Sequence, residues 1–455
     1  MLLAGDSASG KSTAMQAVCG FIPHIVPADV SGEIALDGVR LSDPLEIARL
    51  VGMVQQDPEA QFCTETVEQE VAFGPENYCL PASKVREEVD RALRSVNAIG
   101  LLDRKLSTLS GGEQQKVAIA SVLAVSPKIL VLDEPTSSLD PKAVREVIAA
   151  INSMRSSTDV TTIVAEHRLK GFTPLASRIM VMSEGKLVAD CVRGEAKFEE
   201  LTALASSPAE YPRIERRSGP VVFVDRLSYS IDQNRILDDV SFILEEGSVT
   251  AIMGENGAGK TTLLRHLVGL NRIQEGSVRI LDHVMTKENE VDPWVLGKDV
   301  GVVFQNPNHQ IFESTIDGEI RFASANFHRD SGEADLALAR FEQAEALSRR
   351  VHPLCLSLGQ KRRVNILSSS SHGPKLLLLD EPFIGQDRRN SAKIAEMVAS
   401  LQKAGRTIMV VTHDAEFARS FCTDVLLLKK GKVLAFGDVH GTAGETLMNF
   451  MEDGE

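Results

Sequence analysis

Short apolar runs recur along the chain, each followed by a longer amphipathic or polar stretch. In the first half they are Met1–Ala4, Val51–Val54, Ile129–Leu132 and Val160–Ala165. In the second they are Val249–Met253, Val300–Phe304, Leu376–Leu379 and Thr407–Val411. Runs this short, bounded by turn-forming residues, predict buried strands. Helical periodicity follows from Lys11 to about Cys19, from Lys84 to Val96 and from about Pro141 to Met154. Pro23 and Pro27 interrupt the chain after the first of these. Ser31–Val39 alternates toward Asp37-Gly38, which reads as a hairpin turn. The apolar period vanishes from about Ala205 to Pro220, a stretch of Ser, Pro, Arg and Gly. This predicts an exposed linker at 206–219 between a first domain, 1–205, and a second, 220–455.

Candidate chemistry gathers where the strands end, and it occurs twice. Gly5-Asp6-Ser7-Ala8-Ser9-Gly10-Lys11-Ser12, followed by Thr13, fits the phosphate-binding pattern G-x-x-x-x-G-K-[ST]. So does Gly254-Glu255-Asn256-Gly257-Ala258-Gly259-Lys260-Thr261, followed by Thr262. A triphosphate needs many N–H donors aimed at one spot, which a turn of small residues allows. The next helix adds its positive end. Lys11 and Lys260 suit the β- and γ-phosphates, and Ser12 and Thr261 suit Mg²⁺. Both apolar runs Ile129–Leu132 and Leu376–Leu379 end in Asp-Glu-Pro. Carboxylates at the carboxyl end of a buried strand lie where open α/β sheets bind ligands. Asp133 and Asp380 fit a Mg²⁺ shell, and Glu134 and Glu381 can orient or deprotonate an attacking water.

The remaining elements repeat in the same order. Gln56 lies 45 residues past Lys11, and Gln305 lies 45 past Lys260. Ser110-Gly111-Gly112 and Ser357-Leu358-Gly359 each stand at a predicted helix start, a geometry that holds an anion. Taken singly, a capping serine with a flexible turn explains such a cluster as well. Asp140 and Asp387 follow the carboxylates, and His167 and His413 follow the next strands, where each can contact a γ-phosphate.

Length and charge narrow the classes. For 455 residues, size alone suggests about three domains, but the repeat says two. Hydrophobic residues make up 43%, ample for packed cores, and no apolar run approaches the ~18 residues of a membrane span. The net charge of −14, one Trp and three Tyr disfavour nucleic-acid binding. The six scattered cysteines show no metal spacing and read as reduced, mostly packing residues.

Over nearly its whole length the sequence resembles the ATP-binding subunits of ABC transporters. The phosphate loop, Q-loop (Gln56, Gln305), signature (Ser110-Gly111-Gly112; Ser357-Leu358-Gly359), acidic strand end, D-loop and H-loop all have matches. The resemblance implies an α/β fold of two tandem P-loop NTPase domains. Each would have a mainly parallel sheet, a helical signature subdomain and an antiparallel β part. It implies ATP and Mg²⁺ as ligands, and ATP hydrolysis coupled to transport. It also implies head-to-tail pairing of the halves, so that Ser357 and Gly359 complete the first ATP site and Ser110, Gly111 and Gly112 the second. The Q-loops, Gln56-x-Pro58-x-x-Gln61-Phe62 and Gln305-x-Pro307-x-x-Gln310-x-Phe312, look like the energy-coupling factor branch, which imports vitamins and metal ions. In that family a groove after the Q-loop seats helices of a transmembrane partner. The protein is therefore expected peripherally on the cytoplasmic side of the cell membrane. A soluble twin-domain ABC ATPase of translation or DNA repair is the alternative.

Three departures set the halves apart. Val221–Val249 has no counterpart before Gly5, and it carries Tyr229, placed like the family's adenine-stacking aromatic. The first antiparallel part is thus expected to be incomplete, and the natural start to lie upstream of Met1. Leu358 stands where Gly111 stands, crowding the approach of a phosphate. Gly385-Gln386-Asp387 replaces Ser138-Leu139-Asp140. Two unequal sites follow, the one containing Lys260 the faster.

Overall fold

The computed structural model describes residues 1–6, 9–36, 39–40, 43–137, 139–166, 169–205, 219–345 and 347–452. Ser7, Ala8, the Asp37-Gly38 turn, Ser138, His167, Arg168 and linker residues 206–218 lie outside that set. The chain divides into two compact units, Met1–Ser207 and Pro208–Glu455.

Strands β1 (Leu2–Ala4), β2 (Ala35–Leu36), β3 (Val39–Arg40), β4 (Val51–Val54), β5 (Ile129–Asp133), β6 (Thr161–Ala165), β7 (Arg178–Ser183) and β8 (Lys186–Val192) belong to the first unit. Its main sheet runs β4-β5-β6-β1-β7-β8. All neighbours are parallel except β7 and β8. Successive side chains leave a strand on opposite faces, and the core divides accordingly. Leu2, Leu130, Leu132 and Val164 pack on one face; Leu3, Met53, Val131 and Ala165 pack on the other. Both faces are covered, which is why these runs read as continuously apolar rather than alternating.

The second unit holds β9 (Pro220–Ile231), β10 (Asn234–Glu245), β11 (Val249–Met253), β12 (Glu275–Ile280), β13 (His283–Thr286), β14 (Val300–Val303), β15 (Leu376–Asp380), β16 (Thr407–Val411), β17 (Asp424–Lys429) and β18 (Lys432–Asp438). Its main sheet, β14-β15-β16-β11-β17-β18, repeats the first topology strand for strand. A four-stranded antiparallel sheet, β10-β9-β12-β13, accompanies it. Among the described residues of the first unit only the pair β2-β3 answers to that sheet. The alternation predicted over Ser31–Val39 thus yields just two residues of strand on that side of the turn.

Between β4 and β5 the first unit inserts helices Val67–Asn77, Ala82–Ser95 and Gly111–Leu123. The second inserts Ile316–Asn326, Gly332–Glu345 and Leu358–Ser370 between β14 and β15. Cys19, Cys191 and Cys422 are buried, whereas Cys63, Cys79 and Cys355 are exposed. The expectation that the cysteines mostly pack is therefore corrected for the last three: Cys63 and Cys79 lie on connections and Cys355 ends the short helix Pro353–Cys355, none of them on the sheets.

Candidate nucleotide sites

Each phosphate loop joins the central strand of its sheet to a helix: β1 to Lys11–Val18, and β11 to Lys260–Leu267. Gly254 has φ 146°, and a Cβ there would lie 2.2 Å from the Leu428 carbonyl oxygen. Gly5 repeats this with φ 150° and 2.3 Å to the Met182 carbonyl oxygen. Only glycine fits such a position. Lys11 and Lys260 are buried and curl back over their loops. Lys11 Nζ donates to the carbonyls of Gly5 and Asp6 at 2.8 and 2.9 Å. Lys260 Nζ donates to those of Gly254 and Glu255, both at 2.9 Å. The ammonium is thus held at the mouth of the loop in both units. The loop itself differs at Gly259, where a Cβ would come within 2.7 Å of Leu237 on β10. At Gly10 the nearest atom would be the tip of Met182, 3.3 Å away. Ser9 is buried with its Oγ unpartnered, where Ala258 stands in the second unit.

The carboxylates converge on these loops from the neighbouring part of the sheet. Ser12 Oγ donates to Asp133 Oδ1, and Thr261 Oγ1 to Asp380 Oδ2, each at 3.2 Å. Burial, with Glu381 next in line, pushes the Asp380 carboxyl up to about 6 against the pull of Thr261 and Lys260. Burial likewise raises Asp133. Asp380 is 3% exposed, and its Oδ1 has no hydrogen-bond partner. A hydroxyl and a buried, unsatisfied carboxylate oxygen form a hard donor set that fits Mg²⁺. No group of three or more His, Cys, Asp or Glu that could hold a metal occurs among the described residues. The fit is thus to an ion whose other ligands are phosphates and water.

Glu134 and Glu381 occupy left-handed backbone, φ 46° and 51°. For a non-glycine residue this costs on the order of 1–3 kcal/mol and persists where surroundings enforce it. Here the enforcing bonds are Glu134 N–H to the Ala165 carbonyl at 2.9 Å and Glu381 N–H to the Val411 carbonyl at 3.1 Å. Gln56 Nε2 donates to Glu134 Oε2 at 3.1 Å. Gln305 is exposed and makes no bond to Glu381; His413 Nε2 lies 2.8 Å from Glu381 Oε1. Asp140 and Asp387 cap the following helices, accepting from the backbone N–H of Ala143 and Asn390 at 2.8 and 2.7 Å.

Ser110 and Ser357 stand at the N-termini of Gly111–Leu123 and Leu358–Ser370, each in a capping box with Glu113 or Gln360. The capping role is therefore present, and it leaves both helix starts at the surface. Leu358 is exposed; Gly112 and Gly359 are buried. Tyr229, on β9, is half-buried, its ring edge-on to His266 at 4.6 Å between centroids.

Several supports were not legible as such. Gln61 and Gln310 act as backbone surrogates. Each side chain accepts from a backbone N–H (Gln55, 3.1 Å; Phe304, 3.2 Å) and donates to a carbonyl of the preceding strand, Met53 or Val302. Glu70 Oε2 accepts from the backbone N–H of Cys63 and Thr64, and Glu319 Oε2 from those of Phe312 and Glu313. Recurrence at the same interval in both halves was the signal for these pairs. Thr136 Oγ1 donates to the fully buried Glu166 at 2.6 Å, a pair replaced by Phe383 and Thr412.

A family model described as "ABC transporter" matches residues 1–137 and again 237–384. A Bacillus subtilis (strain 168) relative, YkoD, is 33% identical over 464 residues, covering 94% of this chain and 84% of its own. The chain belongs to the ABC transporter ATP-binding family. An ABC transporter ATP-binding protein of Saccharolobus solfataricus is 32% identical over 489 residues, spanning 99% of this chain and 91% of its own. A solved structure of cbiO1 from Clostridium perfringens, part of the ABC transporter complex cbiONQ, is 26% identical. It covers 52% of this chain and 93% of its own, with TM-score 0.44. With one matched region in each unit, the ABC protein described here is a twin-cassette ATPase with a P-loop in each. No helix among its described residues is long and apolar enough to cross a membrane; ABC ATP-binding subunits work with transmembrane components.

Proposed function

We propose that this ABC ATPase hydrolyses Mg-ATP at two sites and thereby drives uptake of a small solute through a transmembrane partner of the energy-coupling factor kind. The observation that carries the reading is the twofold recurrence of a buried loop lysine, a hydroxyl–carboxylate pair and a left-handed glutamate. In this reading domains 1–205 and 220–455, joined by 206–219, pair head to tail. The loops Gly5–Thr13 and Gly254–Thr262 bind the phosphates. Lys11 and Lys260 exchange their own loop carbonyls for phosphate oxygens. Ser12 with Asp133, and Thr261 with Asp380, hold Mg²⁺, which when bound offsets charge on the β- and γ-phosphates. Glu134 and Glu381 orient the water, and His167 and His413 face the γ-phosphate. Tyr229 stacks adenine. The exposed starts at Ser110 and Ser357 each complete the other unit's site.

Import is supported by the relative YkoD, whose name assigns it provisionally to HMP/thiamine import. It is also supported by the Q-loop glutamines. Docking is supported by a groove of about 510 Å³ in the first helical insert, lined by Glu68, Ala72, Phe73, Val85, Arg86 and Val89. Affinity purification from detergent-solubilised membranes tests the reading. A co-purifying integral membrane partner, with solute uptake abolished by Lys260→Ala, is the expected result. Recovery with ribosomes or DNA instead, with uptake intact, would sink it.

A further inference from the structure

The helix Leu358–Ser370 buries a charge where its counterpart Gly111–Leu123 buries an amide. Arg362 is 3% exposed, and its Nη1 donates to the backbone carbonyl of Glu381 at 2.5 Å. Burial lowers this guanidinium to about 10, while the Glu381 and Asp380 carboxylates pull it back up. So Arg362 is drawn out of water toward two acids at the end of β15.

Glu381 is thereby held at three points. Its N–H bonds the Val411 carbonyl, its carboxylate meets His413, and its carbonyl accepts from Arg362. A left-handed residue relaxes unless its surroundings over-determine it. The third hold is what the first unit builds differently. Gln115 stands at the place of Arg362, five residues past the capping serine in each unit, and is 2% exposed with its Nε2 unpartnered.

We propose that Arg362 is a positioning residue for ATP hydrolysis in the second unit: by gripping the Glu381 carbonyl it fixes the turn that aims the Glu381 carboxylate, and it ties that turn to the helix beginning at Leu358. The proposal rests on Glu381 being the water-orienting carboxylate. It adds a residue that touches neither nucleotide nor water, and it gives the two units different braces for the same glutamate.

The test uses the full chain carrying Glu134→Gln, so that single-turnover hydrolysis of Mg-ATP reports the second unit. Arg362→Gln places there the residue type the first unit already buries at Gln115, so folding is expected to survive. The rate should fall about 10- to 100-fold, with the half-saturating ATP concentration changed less than two-fold. Arg362→Lys, which keeps a donor and a charge, should recover a substantial part of the loss. Hydrogen exchange over residues 380–385 should quicken in Arg362→Gln and less so in Arg362→Lys. An undiminished rate in Arg362→Gln overturns the inference. So does a loss carried entirely by half-saturation, or a lysine variant no better than glutamine. Should Glu381→Gln hydrolyse as fast as its parent, the reading of Glu381 itself fails, and that result is separate from any obtained at Arg362.

Discussion

The two units share a sheet order and a set of motifs, and differ in what leans on them. In the second, β10 crosses the phosphate loop closely enough that Gly259 has no room for a Cβ, and Tyr229 sits on the adjoining strand. The first unit has none of this among its described residues, and only the tip of Met182 approaches Gly10. Around the glutamates, the described residues add a Gln56 bond to the Glu134 carboxylate in the first unit and an Arg362 grip on the Glu381 carbonyl in the second. The duplication therefore keeps the loop lysine, the hydroxyl–carboxylate pair and the left-handed glutamate, and varies what packs around them. Unequal turnover is the expected consequence, with the second site, whose phosphate loop β10 backs, the faster.

The strongest way to break that comparison is to disable one glutamate at a time. Glu381→Gln should lower single-turnover hydrolysis by about 100-fold or more, as loss of a general base does. Glu134→Gln should remove only the slower phase; equal losses from both would make the sites equivalent. Tyr229→Ala comes next. Loss of stacking worth about 1–3 kcal/mol should weaken nucleotide binding in the second unit roughly 5- to 150-fold. The affinity of the first unit should not change, and titration with a fluorescent ATP analogue reads both.

A pH difference sharpens the contrast in stability. His372 is buried, which lowers it to about 4, with Arg329 and Arg406 acting the same way and the Asp299 carboxylate opposing. Val125 stands at the corresponding place in the first unit. The folded value lies below the unfolded 6.5, so stability is whole above pH 6.5 and is lost as pH falls toward 4. The loss reaches up to about 3 kcal/mol. Calorimetry should show the second unit's transition falling faster with acid, and His372→Val flattening that dependence. The smallest expected effect is one the units share. Gln61→Ala and Gln310→Ala should each cost about 0.5–1.5 kcal/mol through lost hydrogen bonds to the preceding strand. Similar losses from both, read by denaturant unfolding, would show that this staple is common to the two halves.

The strands were legible because each is buried on both faces and so writes an unbroken apolar run, as Leu376–Leu379 does. The candidate sites were legible because phosphate chemistry permits few residues at the loop and at the strand end. The supports were not. Nothing in the sequence marks Arg362 as reaching Glu381, since the partner is a backbone carbonyl and such a bond leaves no constraint on residue type. The failure of Gln305 to match the contact of Gln56 was likewise invisible, because both stand at the same interval from their lysines.

What the sequence determined alone was the inventory: two phosphate loops, two acidic strand ends, two capped helices, in one order. These follow from short-range rules of turn geometry, strand burial and hydrogen-bond chemistry. The tertiary structure decided which groups meet. Its crossovers bring Ser12 to Asp133 and Thr261 to Asp380 across more than a hundred residues. Packing, a property of many distant side chains at once, then settles how firmly each glutamate is held.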